Sequence, residues 1–116
     1  MKTRLLSGRA LDYAVALAEG RLPSTYQDNR GNWHVQMQGH PGRFDPTTGR
    51  VGDDIIDREY IDTLTMWDGG EKPEGWRAEA VGGFTWAEGA TRREAAMRCY
   101  ALKKLGEDID IPKELM

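Results

Sequence analysis

The feature that most constrains this chain lies near its end, where Thr91 and Glu94 stand just ahead of an apolar stripe at helical spacing. A threonine hydroxyl at a helix start accepts from the amide three residues on, and a glutamate at that position reaches back to an amide left free at the start. Ala95, Ala96, Cys99, Leu102 and Leu105 then fall on one face. Lys103 and Lys104 suit the negative end of a helix, and Gly106 can take the left-handed conformation that closes it. A helix over about Thr91 to Leu105 is therefore specified at both ends.

The rest of the chain is short enough to be organised around that helix. At 116 residues, the expectation is one domain over 1–116 with one core. Only 39% of the residues are hydrophobic and mean hydropathy is −0.67, so the thin core is expected to lean on large side chains, the four Trp and four Tyr among them.

A second helix is predicted near the start. Ser7 is a suitable N-cap, Ala10, Leu11, Ala14, Val15 and Ala18 repeat at helical spacing, and Gly20 ends the run. Its Ala-rich face suits flat packing on a sheet. From Arg21 to Arg50 the composition turns to Gly, Pro, Asn, Asp, Gln and Thr, and only Trp33, Val35 and Met37 alternate with polar partners, suggesting one short strand. Structureless loops beyond about 12 to 15 residues are uncommon unless functional or disordered, so this stretch is not expected to be inert.

The run Ile55 to Trp67 reads as extended, although Asp53, Asp54, Asp57, Glu59 and Asp62 spoil a clean alternation. Asp68, Gly69, Gly70 and the stretch Pro73 to Gly75 mark a turn, with Trp76, Ala78 and Ala80 following at period two, as in a hairpin. After Gly82 and Gly83, Phe84 and Trp86 either extend that strand past a bulge or form a separate one. Ile109 and Ile111 alternate with aspartates before Pro112. The sum is an α+β fold, a small antiparallel sheet of about three to four strands against an N-terminal and a C-terminal helix.

Three segments carry a family resemblance. Leu6-Ser7-Gly8-Arg9-Ala10-Leu11-Asp12-Tyr13-Ala14-Val15-Ala16 is similar to the opening of the NinX-like phage proteins. Gly89-Ala90-Thr91, Ala95-Ala96-Met97-Arg98-Cys99-Tyr100, Lys104-Leu105-Gly106 and Ile111-Pro112 through Leu115 resemble that family's C-terminal signature. Phe44-Asp45-Pro46-Thr47-Thr48, then Gly52 and Ile55-Ile56, resemble its aromatic, Pro and Ser/Thr segment leading into a paired-isoleucine strand. Against that pattern Tyr26 to Gly42 looks like an insertion, and Arg92-Arg93-Glu94 replaces a more apolar run. The family has no assigned activity, so the resemblance implies a phage or prophage origin and the host cytoplasm as location, not a reaction.

The residues exclude more than they assign. A formal charge of −3 argues against gripping duplex nucleic acid by a basic surface. The longest mainly apolar stretch, Leu11 to Ala18, is too short to span a membrane, and the start shows no secretory pattern. The lone Cys99 permits no internal disulfide and reads as a buried hydrophobe. Phosphate-loop, dinucleotide, nucleophile-elbow and Cys-pair zinc patterns are absent from the sequence, and no cofactor or metal is expected. His34 and His40 read as surface imidazoles, and the acidic run from Asp53 to Asp62 as a solvated strand edge.

What remains is the start of the last helix. Free amides near Thr91 and two arginines, Arg92 and Arg93, where the dipole disfavours cations, would be reconciled by an anion. Arg98 could add a phosphate contact or instead be a buried ion-pair partner to an acidic residue, and Trp86 could offer a stacking surface. Trp33 and Trp67 are candidate partner-surface residues. The expected function is a non-catalytic binding module that sequesters a small anionic, nucleotide-type ligand, for instance in counter-defence. The alternative is a protein-protein inhibitor or adaptor of a host factor, with an enzyme as a third class. A homodimer is the default assembly.

Overall fold

The computed structural model describes residues 1–67, 69–71 and 73–116. Among them the chain forms a 3₁₀ turn (Thr3–Leu5), helix α1 (Gly8–Ala18), strands β1 (Pro23–Gln27) and β2 (Trp33–Met37), and helix α2 (Arg50–Arg58). Strands β3 (Asp62–Met66), β4 (Gly75–Glu79) and β5 (Trp86–Gly89), helix α3 (Arg92–Leu105) and a 3₁₀ turn (Lys113–Leu115) follow. This is the expected mixed α+β class, with its strands divided between two sheets. β1 and β2 form an antiparallel hairpin, and β3-β4-β5 an antiparallel sheet in that order.

α3 is the centre of the molecule. Thr91 Oγ1 accepts from the Glu94 amide at 3.1 Å, while the Glu94 carboxylate accepts from Ala90 at 2.9 Å, one residue ahead of the cap. Ala95, Ala96, Met97, Cys99, Tyr100, Ala101 and Leu102 are all buried, because the helix is covered by the three-stranded sheet on one side and by α1 on another. Gly89 brings β5 backbone-close to α3, since a Cβ there would stand 2.6 Å from the Ala95 nitrogen.

Helix α1 begins after Ser7, which makes no side-chain cap bond, and stops as expected. At its end Gly20 takes φ 75 and the Arg21 amide bonds back to Ala16, the closing pattern a left-handed residue permits. Its small-residue face packs against α3 and against both strands of the β1–β2 sheet, with Ala10 and Ala14 buried.

Two expectations between the terminal helices are corrected. Of the run Ile55 to Trp67 expected to be extended, Asp62–Met66 is strand, but Ile55 to Arg58 belongs to helix α2, whose buried face includes the paired isoleucines Ile55 and Ile56. Asp53, Asp54 and Asp57, which spoiled a strand alternation, fall away from that face, as a 3.6-residue period requires. The segment Arg21 to Arg50 holds two strands rather than one. β1 was invisible because Ser24, Tyr26 and Gln27 are exposed, leaving no apolar alternation to read.

The β3–β4 hairpin forms as expected, its turn residue Asp68 lying outside the described residues. After Gly82 and Gly83, both at positive φ, β5 is a separate strand pairing with β4. The core is not built from tryptophan. Its largest fully buried side chains include Phe44, Leu6, Leu11, Ile55, Ile56 and Met97, and the four Trp are half-buried or exposed. No helix among the described residues is long and apolar enough to cross a membrane.

Candidate functional site

The start of α3 gathers three of the five residues expected to bind a ligand. Thr91, Arg92 and Arg93 line one cavity of about 430 Å³ with Thr47, Thr48 and Asp53. The Arg93 guanidinium grips the Asp53 carboxylate with two hydrogen bonds, of 3.0 and 2.7 Å, and donates a third to the Thr48 carbonyl at 2.6 Å. Arg92 donates to Thr63 Oγ1 at 2.9 Å and lies 3.8 Å from Asp53. Arg93's hydrogen bonds hold Asp53 below the usual carboxylate range. The charge that an anion was expected to answer is thus answered by α2, a helix that the strand reading of this segment concealed.

Arg98 and Trp86 lie elsewhere. Arg98 donates to the carbonyls of Leu6 and Glu88 at 2.6 and 2.8 Å and pairs with Glu94 at 3.4 Å. It ties the chain start to β5. The Trp86 ring has the guanidinium groups of Arg77 and Arg4 over it at 4.2 and 4.9 Å from its centroid, contacts favoured by the ring quadrupole. Trp67 is exposed beyond β3, its indole N–H donating to Thr65.

A second group of arginines stands near the start of α1. A groove of about 850 Å³ is lined by Gly8, Arg9, Arg30, Trp33, His34 and Arg43, with Asp28, Gly31, Asn32, Glu114, Leu115 and Met116 completing its wall. Each arginine is placed by its own local structure. Arg9 follows Gly8 in the first turn of α1 and donates to the Trp33 carbonyl at 3.2 Å. Arg30 rides on the β1–β2 turn, which Asp28 organises: its carboxylate accepts from the amides of Arg30 and Asn32, both at 2.9 Å, and from His34 Nε2 at 2.7 Å. Arg43 stands between Gly42 at φ 75 and the fully buried Phe44, whose amide is fixed to Val35 at 2.8 Å.

The electrostatics of this groove differ from those at α3. Neither the Arg30 nor the Arg43 guanidinium has an acceptor among the described residues. Arg9 reaches only to 3.6 Å from Asp12. Asp28 is held down to about 2, chiefly by the His34 hydrogen bond, and Glu114 accepts from Thr25 at 2.8 Å. Both groove carboxylates already have partners. Ser7 makes no side-chain cap, the first helical acceptance at its carbonyl comes from Leu11 at 3.3 Å, and a Cβ on Gly8 would meet nothing within 4 Å. The space beside Gly8 at the start of α1 is therefore open.

His34 is buried, contrary to its surface reading, because β2 turns it inward to Asp28. An ionised carboxylate can only accept, so Nε2 carries a proton, and the buried Nδ1 has no hydrogen-bond partner among the described residues. His40 packs edge-on against Phe44. Among the described residues no group of three or more His, Cys, Asp or Glu gathers to hold a metal. Burial pushes the Cys99 thiol up to about 11, and its sulfur donates to the Thr85 carbonyl, so it is a packed thiol rather than a thiolate nucleophile.

Sequence reasoning found Trp33 but not Arg9, Arg30 and Arg43. No local signal marks them as a set, because three separate segments bring them together. A family model described as bacteriophage P22, NinX matches residues 2–104. No curated protein matches the chain at a significant level.

Proposed function

Since the chain belongs to the bacteriophage P22 NinX family and is thereby a phage accessory protein, we propose that it is a non-catalytic binding module taking a small anionic, nucleotide-type ligand. The observation that carries this reading is the groove ahead of α1, where Arg30 and Arg43 lack acceptors among the described residues, beside the partly exposed Trp33. A phosphate would supply what the guanidinium forks lack, and charge-assisted hydrogen bonds of this kind contribute roughly 1.5–3 kcal/mol each. An aromatic base stacked on an indole adds about 1–3 kcal/mol. Together these favour a nucleotide over a bare anion. Much of the wall comes from residues 28–34, which lie within the segment that the family model covers. Sequestering such a ligand in the host cytoplasm, in the manner of a counter-defence protein, is the role that fits a binder without catalytic groups.

Isothermal titration against inorganic phosphate and a panel of mono-, di- and cyclic nucleotides tests it. The expected result is micromolar binding of at least one nucleotide, weakened about tenfold or more by Arg30→Ala or Arg43→Ala, weakened by added salt, and unchanged by Arg92→Ala. No ligand tighter than millimolar would overturn the reading. A second reading, docking on a host factor, is favoured by Phe84, which is 96% exposed at the β4–β5 turn with Val81 beside it. Stoichiometric capture of one host protein, lost in Phe84→Ser, would move the function there.

A further inference from the structure

The order β3-β4-β5 leaves β3 at a sheet edge, and the strand's own residues carry none of the usual edge-blunting devices. Edge strands are commonly blunted by a central charge, a proline or a bulge. β3 has none of these: its residues are Asp62, Thr63, Leu64, Thr65 and Met66, paired one-to-one with β4. Its only charge is at one end, and its central Leu64 is 47% exposed. The opposite edge is different, since Arg98 takes the Glu88 carbonyl of β5.

The strand is also complementary to itself. If two copies pair antiparallel about a twofold axis at Leu64, Leu64 meets Leu64, Thr63 meets Thr65 in both directions, and Asp62 meets Met66. Every residue then has a partner and no like charges oppose. Moving the axis to Thr63 leaves Thr65 and Met66 without partners in the strand and sets Asp62 against Leu64. Moving it to Asp62 opposes the two carboxylates. Cross-strand Thr pairs and apolar pairs each stabilise by roughly 0.2–1 kcal/mol, and the half-exposed Leu64 becomes covered by its copy.

We infer that this protein forms a twofold homodimer by antiparallel pairing of β3 with β3 of a second copy, centred on Leu64, making one continuous sheet. The inference is independent of the groove, which lies on other elements.

Light scattering after gel filtration and cysteine cross-linking test it together. The wild type should run at twice its 13.1 kDa at micromolar concentration and above. Leu64→Lys should run as a monomer with an unchanged circular dichroism spectrum. Paired Cα atoms across an antiparallel ladder lie about 4.5–5.5 Å apart, inside the roughly 4.4–6.8 Å a disulfide spans. Leu64→Cys should therefore form a covalent dimer under mild oxidation, with the buried Cys99 not contributing. Asp62→Cys should not, because those positions would lie roughly 14 Å apart. A monomeric wild type, a Leu64→Lys variant that remains dimeric, or cross-linking through Asp62→Cys as efficient as through Leu64→Cys would overturn the proposal.

Discussion

Asp12 is the most exacting single residue. It is fully buried on α1, its Oδ1 accepts from the amide and hydroxyl of Thr47 at 3.0 and 2.9 Å, and its Oδ2 has no hydrogen bond among the described residues. Burial raises its pKa from 3.8 to about 6. A carboxyl whose folded value lies above its unfolded value penalises folding only once ionised. The penalty is absent below about pH 4, grows through about pH 6, and reaches on the order of 2–3 kcal/mol above that. Asp28 has the opposite sign: its value of about 2 means its contribution is present at neutral pH and lost on strong acidification. In urea unfolding at about pH 5 and about pH 7.5, Asp12→Asn should gain about 1 kcal/mol or more relative to wild type at the higher pH. An equal difference at both would show that Asp12 does not titrate in this window. The sequence marked Asp12 only as an early-turn acid, since nothing local reveals that Thr47 comes to meet it.

Among the elements, α2 shows why a short helix can be misread. Its N-cap is Gly49, with no side-chain bond, and its nine residues carry few apolar positions. It closes with the Ile61 amide bonded to Ile56 and the Tyr60 amide to Asp57, the double bond pattern that usually ends on glycine. Here Tyr60 occupies the left-handed position at φ 52, and its side chain is exposed. A tyrosine is strained there as a glycine is not. Tyr60→Gly should therefore raise stability by about 0.5–1 kcal/mol, read as a higher urea midpoint at unchanged slope; a loss would mean that the ring makes an essential contact. α3, by contrast, announced itself, since Thr91, Glu94 and Gly106 all act within a few residues of the helix they bound.

For the whole molecule, stability should be uneven in a way that matters for binding. α3 lies among β4, β5 and α1, while the β1–β2 hairpin that carries Asp28, Arg30 and Trp33 exposes most of β1. Amides with little buried cover open locally before the global core does. Hydrogen exchange should find β1 and β2 amides exchanging tenfold or more faster than those of α3, about 1.4 kcal/mol or more in opening free energy. A groove ligand should slow the hairpin preferentially. Uniform exchange across both regions would contradict this picture.

The division between what was legible in the chain and what was not follows the range of the forces involved. The two terminal helices, the β2 segment, the β3–β4 hairpin and the family match are encoded by residues close together in sequence, through caps, periodicity and turn glycines. So is the mixed α+β class. Burial of His34 and Asp12, the pairing of β1 with β2, and the answer of Asp53 to Arg93 depend on contacts between segments 6 to 40 residues apart. Only the folded chain decides those. The helix start at Thr91 looked electrostatically incomplete because its neutralising carboxylate lies on another helix. The groove ahead of α1 looked like nothing at all because its three arginines come from three segments. Charge complementarity is a property of positions in space, and the tertiary structure closed one cluster and left the other open.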